Sequence, residues 1–183
     1  MTGTENNLAM VVGAGGRVTP LEKERLKVMF EAHYDLVWRV LRRSGLSPSA
    51  ADDGAQQVFM VATKRLSDIE PGKERAFLCA AALKVAPRLR TGREEPTADL
   101  PEQPGGRTPE DVVELERRRK LLDEILSEME EDLRAVLVLT EIEGLTKREV
   151  AEALEIPEGT AASRLRRARE DFQARLQRKG GAP

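Results

Sequence analysis

An all-α fold of two small helical domains is predicted by three features of the sequence. Apolar residues recur at spacings of three and four along most of the chain, the period of a helix with one buried face. A segment rich in Pro and Gly, Thr91 to Pro109, holds almost no large apolar residue and divides that pattern in two. The last part, Glu143 to Arg169, has the spacing of a helix-turn-helix and ends in a dense run of arginines. The predicted organisation is a disordered tail over 1–20, a helical domain over 21–90, a flexible linker over 91–109 and a helix-turn-helix domain over 110–179.

Composition supports this reading and excludes others. With 183 residues, 40% hydrophobic and 34% charged, the chain suits one domain or two small soluble ones. Aromatics are only 3%, so each core depends on Leu, Val and Ala packed between helices. A formal charge of −2 argues against indiscriminate coating of nucleic acid, so any DNA contact is expected to be a local patch. The single cysteine, Cys79, and the single histidine, His33, exclude an intramolecular disulfide and a cluster of soft metal ligands. No metal and no cofactor is expected. No apolar run approaches the roughly 20 residues of a membrane span, and the start lacks a basic signal-peptide region, so a cytoplasmic location is expected.

Taken in order, the residues up to Pro20 show no sustained period, and GAGGR lacks the Lys-Ser/Thr that would make it a phosphate loop. From Leu21 to Arg43, Leu26, Met29, Phe30, His33, Leu36, Val37, Val40 and Leu41 define an amphipathic helix that Ser44-Gly45 ends. Ser47-Pro48-Ser49 opens a second, which runs through Ala55, Val58, Phe59 and Ala62 to Leu66. A turn at Ile69 to Gly72 leads to an alanine-rich third helix, Glu74 to about Val85, stopped or kinked at Pro87. Beyond the linker, Asp111 begins a long helix with Leu115, Leu122, Ile125, Leu126 and Met129 on its apolar face. Glu130 to Thr140 continues the helical pattern through Leu133, Val136 and Leu137.

The helix-turn-helix is predicted from its caps. Thr146 with Glu149 forms a capping box, and Pro157 closes the first helix and suits the start of the second. Ala161, Leu165, Ala168 and Phe172 form the buried stripe of the second helix. Gly159, Ser163, Arg166 and Arg167 take its opposite face, with Ala162 and Arg164 on the flanks. Small side chains at the tip let a backbone approach the major groove, and arginines beyond it meet phosphates or guanine edges. Lys147, Arg148, Gly159, Thr160, Ala162, Ser163, Arg164, Arg166 and Arg167 are therefore the candidate DNA contacts. The carboxylates elsewhere sit beside Lys and Arg at ion-pair spacing on solvated faces, a pattern that does not suggest an enzyme.

LLDEILSEMEEDLRAVLVLTEIEGLTKREVAEALEIPEGTAASRLRRARE resembles region four of bacterial RNA polymerase sigma factors of the extracytoplasmic-function group, with its EGL approach and GT-x-x-SRL-x-RAR recognition helix. FEAHYDLVWRVLRRSGLSPSAADDGAQQVFMVATKRL is more loosely similar to region two. The resemblance implies that Asp53, Gln56, Gln57 and Phe59 grip the β′ clamp of core polymerase. The C-terminal domain would read the upstream promoter element and touch the β flap. An anti-sigma factor is a further implied partner. Gln57 stands where the family has an acid, Gly54 where it has Leu, and Ala161 and Ala162 where it has Val and Lys. The strand-capturing helix departs most. Phe77 replaces a Trp and alanines replace polar and aromatic positions, leaving Phe77, Lys84, Arg88 and Arg90 as a reduced downstream-element set. The function implied is promoter-specific initiation as an alternative sigma factor. The competing reading is a sigma-like regulator or adaptor that has lost promoter melting.

Overall fold

The computed structural model describes residues 19–90 and 109–180. Residues 1–18 of the predicted tail and 91–108 of the predicted linker lie outside the described residues, and Pro109, the last residue of that predicted linker, opens a helix. Among the described residues there are seven α-helices and no strand.

Helix α1, Pro20–Arg43, starts on a capping box at a residue of the predicted tail: Thr19 Oγ1 accepts from Glu22 N, and the Glu22 carboxylate accepts from Thr19 N. Its apolar stripe, with Leu26, Phe30, Val37, Val40 and Leu41, is buried. Helix α2, Pro48–Lys64, is capped by Ser47 and buries Ala55, Val58, Phe59 and Ala62 against α1. It stops two residues short of the predicted end. Leu66 turns inward in a short 3-10 turn, Leu66–Asp68, where the Arg25 guanidinium donates to the carbonyls of Leu66 and Ile69. Those donations satisfy carbonyls that a continuing helix would otherwise have used.

Helix α3, Glu74–Leu89, corrects the prediction of an end at about Val85. Pro87 lies inside it, exposed, and the helix closes with Arg90 N donating to Ala86 O. An internal proline costs about 3 kcal/mol. Packing offsets that cost: Ala86 is buried and Leu89 presses on Gly54, where a Cβ would lie 3.1 Å from Leu89 Cδ1 and 3.0 Å from Leu41 Cδ1. The glycine that departs from the family's leucine is therefore the seat for the end of α3. The three helices pack pairwise around Phe30 and Phe59, whose ring centroids are 4.7 Å apart.

In the C-terminal half, α4 is Pro109–Glu128 and α5 is Glu131–Leu137. The predicted helix to Thr140 is broken after Leu137, where the chain widens into a π turn, Val138–Ile142. That turn ends with Glu143 N donating to Val138 O and Leu145 N donating to Leu139 O across Gly144, whose φ of +67° suits glycine. Helices α6, Lys147–Leu154, and α7, Glu158–Arg178, complete the fold. Ile125, Leu126, Leu139, Val150, Leu165 and Ala168 lie in its core. The buried residues of both halves form one continuous cluster, with α3 packed on α6.

Candidate nucleic-acid and polymerase interfaces

Local chemistry builds the helix-turn-helix. Thr146 Oγ1 accepts from Glu149 N at 3.3 Å and the Glu149 carboxylate accepts from Thr146 N at 2.7 Å, which starts α6. Burial raises the Glu149 pKa, but its bonds from the Thr146 backbone and hydroxyl outweigh that and hold it below the usual carboxylate range. Val150, Ala151 and Ala153 are buried, with Leu154 half-buried. Glu155 ends α6 in the left-handed region at φ 55°, where Ile156 N donates back to Ala151 O.

Helix α7 then buries Ala161, Leu165 and Ala168 and turns Gly159, Ala162, Ser163, Arg166 and Arg167 to solvent, with Thr160 half-buried. Open space surrounds Gly159, so no packing demands a glycine there. Ser163 Oγ donates to the Thr160 carbonyl. Arg164 is half-buried and reaches back to Asp132 of α5 at 2.9 Å. Arg166 lies 3.8 Å from Glu170, a loose pair on the same helix. Lys147 and Arg148 are exposed on α6, Arg148 paired with Glu152.

On α2, Asp53 and Gln57 are exposed and Gln56 is half-buried, so these three share an accessible side. Phe59 corrects the predicted clamp set. It is 1% exposed, packs tilted against Phe30 and stacks on Tyr34 in the core, so it supports the face from beneath and cannot touch a partner.

The α3 face is already engaged. Lys84 pairs with Glu155, Arg90 with Glu131 at 2.9 Å, and Arg75 and Lys73 each lie 3.9 Å from Glu149 and Glu152. Arg88 is exposed, and Phe77 is half-buried beneath the Arg65 guanidinium, 5.6 Å from its ring. Between α2, α3 and α6 opens a cavity of about 470 Å³, floored by Ala76, Phe77, Ala80 and Ala81 and rimmed by Lys84, Arg88, Glu152 and Glu155. Below it, burial pushes the Cys79 thiol up to about 12, an inert core group.

One junction was invisible in the sequence. Glu143, its side chain 1% exposed, accepts from Arg39 Nη2 at 2.8 Å and Nε at 3.1 Å and lies 3.8 Å from Arg43. Its carbonyl accepts from Arg75 at 2.7 Å. The partners stand 104 and 68 residues away, and no local spacing could have announced them.

Comparison with known proteins fits this geometry. The sequence profile of sigma-70 region 2 matches residues 29–96 and that of sigma-70 region 4 matches 119–172. The RNA polymerase sigma-H factor of Pseudomonas aeruginosa is 31% identical over 142 residues, 69% of this chain and 73% of that protein. The chain belongs to the sigma-70 family, in its ECF group. This sigma factor is also 35% identical over 69 residues to the ECF sigma-E factor of Escherichia coli, a match to 38% of this chain and 36% of that one. Among solved structures it resembles CnrH in complex with the cytosolic domain of CnrY. There the TM-score is 0.65 and the identity 22%, over 95% of this chain and 97% of that one. It also resembles the sigma factor RpoE in complex with the anti-sigma factor NepR from Bartonella quintana. That TM-score is 0.58 and the identity 22%, over 81% and 96% of the two chains. At that identity both establish the fold alone. As a sigma factor it serves transcription initiation, and neither profile describes an enzyme. No helix among the described residues is long and apolar enough to cross a membrane.

Proposed function

We propose that this sigma factor binds core RNA polymerase and directs promoter-specific initiation, with α7 reading the upstream element in the major groove. The observation that carries this is the split of α7. Ala161, Leu165 and Ala168 are buried, while Gly159, Ala162, Ser163, Arg166 and Arg167 stand exposed along the other side. A tip of small residues lets the helix approach base edges, with Thr160 and Ser163 as short hydrogen-bonding groups. Arg166 and Arg167, with Lys147 and Arg148 on α6, would bind flanking phosphates, and Arg164 would join them on release from Asp132. Asp53, Gln56 and Gln57 of α2 would meet the β′ clamp, and the C-terminal half the β flap. Lys84, Arg88 and Arg90 would line the path of the separated strand, with Phe77 as a stacking platform. The organisation over 21–90 and 110–179, joined by a linker over 91–109, would let the two reading helices reach separate promoter elements. An anti-sigma factor is the implied negative partner, since both solved neighbours carry one or a comparable cytosolic partner domain.

A second reading, a regulator that binds polymerase without melting DNA, is favoured by one observation: Ala76, Ala80 and Ala81 occupy the α3 groove where stacking groups would be needed. Run-off transcription with purified core polymerase, a promoter library and a permanganate footprint tests both. Specific transcripts with reactive thymines support the sigma factor; core binding without reactive thymines supports the regulator. Absence of core binding overturns both.

A further inference from the structure

Helix α7 is held on both flanks by acids of different elements. Arg169 Nε and Nη2 both donate to Glu141 of the π turn, at 3.0 and 2.5 Å. Arg175 Nη1 donates to Glu128, the last residue of α4, at 3.3 Å, and Lys179 lies 2.9 Å from the same carboxylate. Counted around the helix at about 100° per residue, Arg169 and Arg175 stand about 120° apart. The short arc between them carries the buried Leu165 and Ala168, and the long arc carries the exposed Ser163, Arg166 and Arg167. Neither Arg169 nor Arg175 is a candidate DNA contact, so both braces stay in place when the long arc meets a duplex, whereas Arg164 would exchange Asp132 for a phosphate. Of the two braces, Arg175 is shared with Asp171 of its own helix, at 2.8 Å, while the ion-pair partner of Arg169 among the described residues is Glu141.

We propose that Glu141 is a positioning residue for promoter recognition: through Arg169 it fixes the rotation of α7 about its own axis, and with it the discrimination between upstream elements. The inference deepens, and rests on, the reading of α7 as the helix in the major groove. Side-chain ends lie about 6 Å from a helix axis, so a rotation of about 15° carries them by about 1.5 Å. That exceeds the range over which an N–H···O bond keeps its strength. The buried stripe resists such a rotation weakly, because two of its three members, Ala161 and Ala168, have no side chain long enough to lock between neighbours. The pair itself is 57% exposed on Arg169 and 42% on Glu141, so it adds little to stability and acts on direction. The π turn takes one residue more per turn than an α-helix, and the residue that reaches Arg169 lies within it.

The test uses holoenzyme assembled from the full chain and core polymerase, with labelled duplexes that carry an upstream element selected from a promoter library or single-base changes within it. Wild type is compared with Glu141→Gln, with the swap Glu141→Arg/Arg169→Glu, and with Glu131→Gln, a control of equal charge change on α5 whose partner is Arg90. The ratio of matched to mismatched affinity is read at fixed salt, because a change of net charge moves both affinities together. That ratio is expected to fall about fivefold in Glu141→Gln, to hold in the control and to return in the swap. Denaturant midpoints of the free proteins are expected to stay equal. A ratio in Glu141→Gln equal to that of wild type overturns the positioning role while leaving α7 as the reading helix. A loss that the swap does not restore overturns it too, because the carboxylate then serves the fold and not the pair. No discrimination by wild type overturns the reading of α7, and the inference with it.

Discussion

Helices α3 and α7 both carry rows of basic residues and both belong to the parts of the fold associated with DNA, and they differ in where the acids that face those residues come from. The tip of α7 is exposed, with Arg167 turned outward. On α3 and its C-cap, Arg75, Lys84 and Arg90 face carboxylates of the other half, while Lys73 at the N-cap pairs with Glu70 at 2.9 Å and lies 3.9 Å from Glu152. A count of charges cannot distinguish them. Availability for a phosphate is set by what a cation already faces, and that is a property of packing.

The largest way to break this comparison is from beneath α3. Gly54→Leu drives a side chain into Leu41 and Leu89, which already lie about 3 Å from where its Cβ would be. Over-packing of this kind costs about 3 kcal/mol. A lowered denaturant midpoint is expected, with α3 detached at its end while α7 keeps its helicity, as read by hydrogen exchange along both helices.

Next in size is Glu143→Ala, which leaves Arg43 without its carboxylate at a site where the lost side chain was 1% exposed. Breaking a fully buried pair costs about 3–5 kcal/mol. Arg39 is 41% exposed and can return to water, so roughly 2 kcal/mol is expected here. The accompanying signature is a wider distance between labels on α3 and α6, which an unchanged distance would contradict.

Thr146→Ala removes the cap of α6 and should cost about 1 kcal/mol, measured by chemical denaturation. Its pH dependence follows from Glu149, whose native pKa lies below its ordinary value. A depressed carboxylate stabilises the fold above its unfolded pKa, and that contribution fades as pH falls through the native one. The difference between wild type and variant should therefore shrink in acid.

The smallest effect sharpens the contrast directly. Arg167→Gln should lower the salt slope of upstream-element binding, measured with the polymerase holoenzyme, by about one unit, while leaving stability unchanged. Arg90→Gln should lower the slope of strand binding by less, because Arg90 must first leave Glu131. Equal changes would mean that the α3 cations are as free as those of α7.

Much of the fold was legible because it is local. The 3.6-residue period located the helices, and Ser47, Pro48, Thr146 and Pro157 marked their starts within a residue or two. Where the reading missed, a distant contact had overridden a local rule. Pro87 did not end α3, because Leu89 is held on Gly54 from another helix. Phe59 looked like a surface contact from its motif position and is a core ring, because Phe30 and Tyr34 of α1 close over it. The π turn after Leu137 has no sequence signature, yet it brings the chain round to Glu143.

By itself the sequence determined the all-α class, the capping of α6, the buried stripe of α7 and the family's recognition motif, since each depends on residues a few positions apart. The tertiary structure alone decided which cations are spent. Arg164 turns to Asp132, Lys84 to Glu155, and Glu143 sinks between arginines 104, 100 and 68 positions earlier in the chain. Periodicity reports which side of a helix is apolar, whereas the partner of a charge depends on which helices meet, and that is settled only when the two halves pack.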